Sequence, residues 1–116
     1  MSRRGWHMDR GADVLTLARQ RPARFDVAAR ASFPPLRRGR LAHLIRQDLW
    51  RALQSLRGFS PVVRIATVPG GLMVTAGGRV TGPVAPTVQR RIAVLLEDPE
   101  RRARWITNAH LGDPAV

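Results

Sequence analysis

The sequence predicts a small single α+β domain, and three observations lead to this fold class. The chain has 116 residues, of which 44% are hydrophobic, and this suits one domain with its own core. Apolar residues recur with helical spacing in the middle of the chain and again near its end. Between these segments, two runs rich in β-branched residues flank Pro69-Gly70, which is typical of a β-hairpin.

The N-terminal third is expected to hold an arm and two short helices. Residues 1–11 carry four charged side chains and two glycines without an apolar period, so we expect a flexible basic arm. The folded domain then covers residues 12–112. Within it, residues 12–20 predict a short helix with Asp13 in its first turn. A second short helix is expected near residues 23–31, after Pro22 and before Pro34-Pro35.

The strongest helical pattern covers residues 36–57. Its apolar side chains, spaced three and four apart, are Leu41, Ile45, Leu49, Ala52, Leu53 and Leu56, with Leu44 at the edge. Gly58 suits the position that closes a helix, and Pro61 prevents its continuation. Gly39 weakens the first turn, so we expect regular helix from about Arg40.

The opposite side of this helix has Trp50 near its centre. Polar and basic side chains surround it, namely His43, Arg46, Gln47, Gln54 and Arg57. A large apolar side chain among arginines indicates a binding face, unless another part of the chain covers it. The alternatives are burial by the N-terminal segment, for instance against Phe25, Val27 or Phe33, and burial by a second subunit.

The hairpin prediction includes a register. With a two-residue loop at Pro69-Gly70, Val63 lies opposite Ala76 and Ile65 lies opposite Val74, which leaves one face apolar and the other mixed. A longer loop with a bulge at Gly70 or Gly71 is the alternative, since type II turns match the twist of two-residue hairpins less well. Gly77-Gly78 predicts a second bend, into a short third strand at residues 79–81.

Two helices are expected at the end of the chain. The first begins at Pro86, a residue that suits the first helical position. The second follows Asp98 as N-cap and Pro99 as first residue, and places Trp105 at the edge of the core. Glu97–Arg101 and Glu100–Arg104 have the spacing of ion pairs on a helix surface.

The charge balance is the main functional signal. All twenty cationic side chains are arginine and only eight residues are acidic, so the net charge is +12. Codon bias explains why arginine replaces lysine, and the alternative interpretation is therefore a solvated surface without a binding role. Codon bias does not explain the shortage of acids. Such a charge repels itself unless an anionic partner offsets it, and the usual partner is a phosphate backbone. An acidic protein is the other expected partner.

The sequence favours the cytoplasm and no membrane partner. There is no cysteine, which fits a reducing compartment and excludes disulfides and thiolate chemistry. The twin arginine at residues 3–4 is not followed by an unbroken apolar stretch, so we expect no secretory signal. No window approaches the length of a membrane span, and every amphipathic face is needed for the core.

An enzyme is not expected, and neither is a cofactor. The three histidines, His7, His43 and His110, lie far apart in the sequence and form no metal-binding pair. No phosphate-binding loop precedes a helix, and the glycines of residues 69–78 are read as turns. Asp48 is the only acid of the main helix, and it is expected to pair with Arg51.

We therefore expect a small basic nucleic-acid-binding protein, with double-stranded DNA favoured over RNA, that acts as a regulator or a DNA-packaging accessory. Arginine forks contact phosphates and stack on bases, and tryptophan stacks on unpaired bases. The candidate binding residues are Arg37, Arg38, Arg40, Arg46, Trp50, Arg57, Arg64, Arg79, Arg90 and Arg91. The alternative function is a protein-interaction module whose Trp50 face docks an acidic partner or forms a homodimer.

Overall fold

The computed structural model describes residues 5–112, which form an α+β domain of five strands and three helices. The elements in chain order are β1 (His7–Arg10), β2 (Val14–Ala18), β3 (Val27–Phe33), α1 (Arg38–Leu53), β4 (Ser60–Val68), β5 (Gly71–Arg79), α2 (Pro86–Glu97) and α3 (Pro99–Asn108). Within the described residues, none of the helices has the length and apolar content needed to cross a bilayer.

The five strands form one antiparallel sheet in the order β1-β2-β4-β5-β3. The central pair, β4 and β5, is the hairpin that the sequence predicts, and its register is confirmed: Val63 lies opposite Ala76, and Ile65 opposite Val74. The turn between them contains Gly70 at a φ of 82°, a conformation that side chains other than glycine rarely adopt.

All three helices cover the same face of the sheet, which we call the helical face. Helix α1 packs on β2 and β4, α2 packs on β3, and α3 contacts both other helices. Alternate residues of β2, β3, β4 and β5, such as Leu15, Leu17, Val63 and Ile65, are buried under this layer and form the core. None of the helices in residues 5–112 lies on the opposite side of the sheet, which we call the open face.

The expected arrangement of the N-terminal third is wrong, because both short helices are strands. Residues 14–18 form β2 and residues 27–33 form β3, and the latter is buried at every second residue. Alanine, which favours helices in isolation, occupies two of the buried positions, Ala29 and Ala31. Pairing with β5 outweighs this local preference, since each alanine lies against a residue of that strand.

Two further expectations need correction. Strand β5 continues through Gly77-Gly78 to Arg79, so the separate third strand at residues 79–81 does not exist. Of the expected flexible arm, residues 1–4 lie outside the described residues, while residues 7–10 form β1 and pair with β2.

The three predicted helices are present with shifted ends. Helix α1 covers residues 38–53 within the expected 36–57, and α2 begins at Pro86 as predicted. In α3 the Asp98 side chain accepts a hydrogen bond from the Arg101 amide at 2.9 Å, which confirms the expected N-cap. Trp105 is fully buried rather than at the edge of the core.

Residues 20–26, which we call the crossing loop, lie across one end of the open face. Phe25 sits under the Arg64 guanidinium, 5.1 Å from its carbon to the ring centroid, and Arg79 donates a hydrogen bond to the Pro22 carbonyl. Both arginines belong to strand positions that point to the open face. Val62, which also points to the open face, is only 2% exposed.

Candidate nucleic-acid interface

Trp50 is half exposed, with 42% of its surface accessible. Its ring is parallel to that of Phe59, with centroids 6.3 Å apart and planes 5° apart, the geometry of an offset stack. The residues suggested to cover it lie elsewhere: Phe25 is on the open face, while Val27 and Phe33 belong to the core. One side of the indole is therefore held by a neighbouring ring, and part of its surface remains accessible.

Trp50 lines a groove of about 570 Å³ on the helical side of the sheet. We call it the aromatic groove and define it by Trp6, Arg19, Arg46, Trp50 and Phe59. Three aromatic rings and two guanidinium groups thus share one cavity. Its volume falls within the range of about 300–1,000 Å³ typical of small-ligand pockets.

The cations of the groove lie against its aromatic surface. The guanidinium carbon of Arg46 is 4.6 Å from the Trp6 ring centroid, and that of Arg19 is 5.7 Å from it. Arg46 also approaches His43, with 3.5 Å between Nη2 and Nδ1. No carboxylate is among the described residues that line the groove. Its local charge is therefore positive, which favours an anionic ligand.

The sheet edge and α1 together build the groove. Met8 lies opposite Leu17 on the helical face, and Trp6 and Arg19 continue that alternation past the ends of β1 and β2. Arg46 and Trp50 are four residues apart and share one side of α1.

Gly58 brings Phe59 to the groove. It has a φ of 69°, and a side chain at this position would overlap Thr81. The turn that places Phe59 beneath Trp50 therefore requires glycine.

The ten predicted site residues do not include Trp6, Arg19 or Phe59. Trp6 lies in the expected arm, where no packing partner could be identified. Its role depends on the β1–β2 pairing, and β1 is only four residues long. Alternation over so short a segment gives no reliable sequence signal.

All ten predicted site residues lie within the described part of the chain, and the structure separates them. Arg46 and Trp50 meet in the groove. Arg37, Arg38 and Arg40 lie at the other end of α1, about 9–20 Å along the helix axis from Arg46 and Trp50. Arg38 lies beside the hairpin turn and its Nη1 atom is buried without a hydrogen-bond partner among the described residues.

The remaining predicted residues lie elsewhere on the surface. Arg57 is exposed beyond α1, and its carbonyl accepts a hydrogen bond from the Thr81 amide. Arg90 and Arg91 belong to α2, and Arg91 donates to the Ala52 carbonyl at 2.6 Å. Arg64 and Arg79 lie on the open face, on the other side of the sheet from α1.

Ionic contacts hold the end of the crossing loop next to Arg79. The Arg24 guanidinium, bonded to both carboxylate oxygens of Asp26, lowers the pKa of that carboxyl, and the Val80 amide lowers it further. Partial burial opposes this pKa shift and the charge of Arg79 adds to it. Arg24 and Arg79 thus contribute to local structure as well as to surface charge.

Several other arginines are already engaged by acids. Asp48, 5% exposed, accepts hydrogen bonds from Trp105 Nε1 at 2.7 Å and Arg104 Nη2 at 2.8 Å. The expected Asp48–Arg51 pair is present at 3.6 Å. Arg104 therefore pairs with Asp48 and not, as expected, with Glu100.

Arg101 also differs from expectation, since it pairs with Asp98 at 3.6 Å instead of Glu97. The α1–α3 side of the molecule consequently offers fewer uncompensated cations than its arginine count indicates.

Within residues 5–112, no three histidine, aspartate or glutamate side chains are grouped closely enough to hold a metal ion. Comparison with protein-family models, with curated proteins and with solved structures found no match to this chain. Functional conclusions therefore depend on the geometry of the aromatic groove and on the distribution of charge.

Proposed function

We propose that the protein binds nucleic acid and that the aromatic groove takes an unpaired base together with its phosphate. The observation that carries this proposal is the presence of Trp6, Trp50, Arg19 and Arg46 in one groove whose described lining has no acid. We place this activity in the cytoplasm, as a regulator or a packaging accessory of nucleic acid.

The groove supplies the two interactions that single-strand binding requires. Stacking of a base on an aromatic side chain contributes about 1–3 kcal/mol, and it tolerates any base. Arginine forks bind phosphate oxygens and remain charged at all physiological pH values. A net charge of +12 adds long-range attraction.

Paired and unpaired nucleic acids should use the groove differently. A base inside a duplex is already stacked on both sides, so the tryptophans gain nothing from an intact duplex. Phosphate contacts need no unpaired base and serve duplex DNA as well. We therefore expect single-stranded DNA or RNA to bind more tightly than the duplex DNA favoured on sequence grounds.

The test compares the wild type with Trp50→Ala and Trp6→Ala by fluorescence anisotropy, using labelled single-stranded DNA, RNA and duplex DNA. Loss of one stacking partner should weaken single-strand binding about 5- to 150-fold, corresponding to about 1–3 kcal/mol. Trp50→Phe should keep most of the affinity, because it preserves an aromatic face.

Val94→Ala provides a matched control. Val94 is an apolar side chain on α2, 69% exposed and away from the groove, so its removal should leave the affinity unchanged. Equal binding by Trp50→Ala and the wild type, with the fold intact by circular dichroism, would exclude the groove as the binding site.

A protein-interaction module is the second candidate, and the 42% exposure of Trp50 favours it. A partly exposed tryptophan flanked by arginine has the composition of an interface hot spot. Light scattering distinguishes the two functions: a dimer that becomes monomeric in Trp50→Ala, without nucleic-acid affinity in the wild type, would support assembly instead.

A further inference from the structure

The open face presents a row of hydroxyl and guanidinium side chains that crosses four neighbouring strands. Thr16 of β2 lies opposite Arg64 of β4, Arg64 lies opposite Thr75 of β5, and Thr75 lies opposite Arg30 of β3. With about 4.8 Å between strands, the row is about 14 Å wide and its two arginines are about 10 Å apart. We call these four residues the open-face row.

The two arginines of the row are available to a ligand. Both side chains are exposed, and neither forms an ion pair with any carboxylate in the described chain. The nearest acid in the same line is Asp9, opposite Thr16, and it is bound by Arg21. An anion approaching the row therefore meets cations that no acid has neutralised.

The surroundings of the row allow a flat ligand to come close. Its open-face neighbours on one side carry no charge and are small except for the flexible Met73; they are Val14, Ala66, Met73 and Ser32. On the other side, Phe25 of the crossing loop supports the Arg64 guanidinium. Arg64 is thus held over the face, while Arg30 has no described contact that would restrain it.

The row and the aromatic groove lie on opposite sides of the sheet. The groove is bounded by α1 and by Trp6 and Arg19, which continue the helical-face alternation. Arg30 and Arg64 occupy the strand positions whose side chains point to the open face. A short oligonucleotide bound at one of these surfaces cannot reach the other without passing around the sheet edge or over the crossing loop.

We propose that the open-face row is a second phosphate-binding surface, so that one chain holds two nucleic-acid segments at the same time. The guanidinium groups bind phosphate oxygens of the backbone, and the threonine hydroxyls donate further hydrogen bonds to them. The row has no exposed aromatic ring for stacking, so it recognises backbone and not base. This inference rests on the proposed function and assigns it a bridging role.

The test counts bound oligonucleotides per chain by native mass spectrometry, with single-stranded DNA of about six nucleotides, too short to span both surfaces. The wild type should bind two. The double variant Arg30→Gln/Arg64→Gln should bind one, and so should Trp6→Ala/Trp50→Ala. Counting per chain keeps the result independent of any self-association.

A matched control removes the same charge elsewhere. Arg10→Gln/Arg51→Gln also lowers the net charge by two, from exposed positions outside the groove and the row, and should still bind two oligonucleotides. Arg30→Gln alone is the second test variant, because this side chain has no described contact whose loss would disturb the fold. It should weaken binding at the row without changing circular dichroism.

The salt dependence gives an independent readout. The slope of log affinity against log salt, measured with a long single strand, should become shallower by about 1.4 in Arg30→Gln/Arg64→Gln, because two phosphate contacts are lost. The control double variant should keep the wild-type slope.

The outcomes separate the two proposals. A wild type that binds one oligonucleotide per chain, in the groove, would overturn the second surface and leave the proposed function in place. A wild type that binds none would overturn both. Equal competition at the row by polyglutamate of matched charge would assign the row to an acidic protein instead.

Discussion

At the scale of single residues, Asp48 shows how a charge inside this basic protein is compensated. Its carboxylate lies under α3 and receives the indole N–H of Trp105 and a guanidinium N–H of Arg104. Trp105 in turn packs on Phe33 of β3, with ring centroids 6.1 Å apart. One carboxylate thus joins α1 to α3 beside the core, and the indole N–H has no other acceptor in the described structure.

Asp48→Ala should destabilise the protein by about 3 kcal/mol, because it leaves a buried indole N–H unsatisfied and removes the partner of Arg104. Urea denaturation followed by tryptophan fluorescence measures this loss. Arg51→Gln is the matched control. It removes an exposed guanidinium that lies 3.6 Å from the same carboxylate, and it should cost less than about 0.5 kcal/mol of stability. Equal losses in the two variants would show that the buried hydrogen bonds contribute nothing.

Single residues of the sequence predict the structure correctly where one local rule determines the outcome. Pro69-Gly70 and the alternation around it determined the hairpin register, and Asp98-Pro99 determined where α3 begins. The groove prediction missed Trp6, whose position depends on the pairing of the short strand β1 with β2, and Phe59, whose position depends on the turn at Gly58.

At the scale of elements, the sheet depends on close packing between backbones at β5. Strand β5 lies between β4 and β3, and it contains Gly71, Gly77 and Gly78. A methyl group at Gly77 would overlap the carbonyl oxygen of Val27 on β3. Glycine at this position therefore allows β3, which the sequence suggested was a helix, to pair along its full length.

Gly77→Ala should destabilise the protein by about 3 kcal/mol or more, since relief of the overlap requires β3 to move away from β5. Gly70→Ala is the comparison: it has a φ of 82° but open space around it, so backbone strain alone should cost about 1–2 kcal/mol. Thermal denaturation of both variants tests this order. A smaller loss in Gly77→Ala than in Gly70→Ala would contradict the packing argument.

Strands β2 and β3, which the sequence suggested were helices, show the limit of predicting secondary structure from local patterns. Each is a short segment with buried side chains at alternate positions, such as Leu15 and Leu17 of β2. Over five to seven residues, this pattern resembles part of an amphipathic helix, and alanine favours the helical interpretation. Tertiary pairing decided the outcome, and a single sequence contains no direct signal for pairing between distant strands.

At the scale of the whole molecule, the strand order divides the predicted binding residues between two sides of the sheet. The sequence predicted one patch around Trp50, but Arg64 and Arg79 project from the opposite face, with the crossing loop beside them. The side on which an arginine lies depends on register and on which face the helices cover. The net charge follows from the composition, but the positions of the arginines on the surface can be determined only from the folded structure.

This distribution predicts that salt has opposite effects on folding and on binding. Near 0.01 M salt, the screening length of about 30 Å exceeds the radius of gyration of 13.9 Å, so most cations of the molecule repel one another. Near 0.15 M the length falls to about 8 Å and this repulsion weakens. The melting temperature should therefore rise by a few degrees over this range, because the folded state concentrates a charge of +12.

Affinity for single-stranded DNA should fall over the same range of salt. Four phosphate contacts, two from the groove and two from the open-face row, correspond to a slope of log affinity against log salt of about −3. In Arg30→Gln/Arg64→Gln both responses should become smaller, since the same two charges contribute to repulsion in the free protein and to binding in the complex. A melting temperature that falls with salt would mean that attractive ion pairs such as Arg21–Asp9 outweigh the repulsion among the arginines.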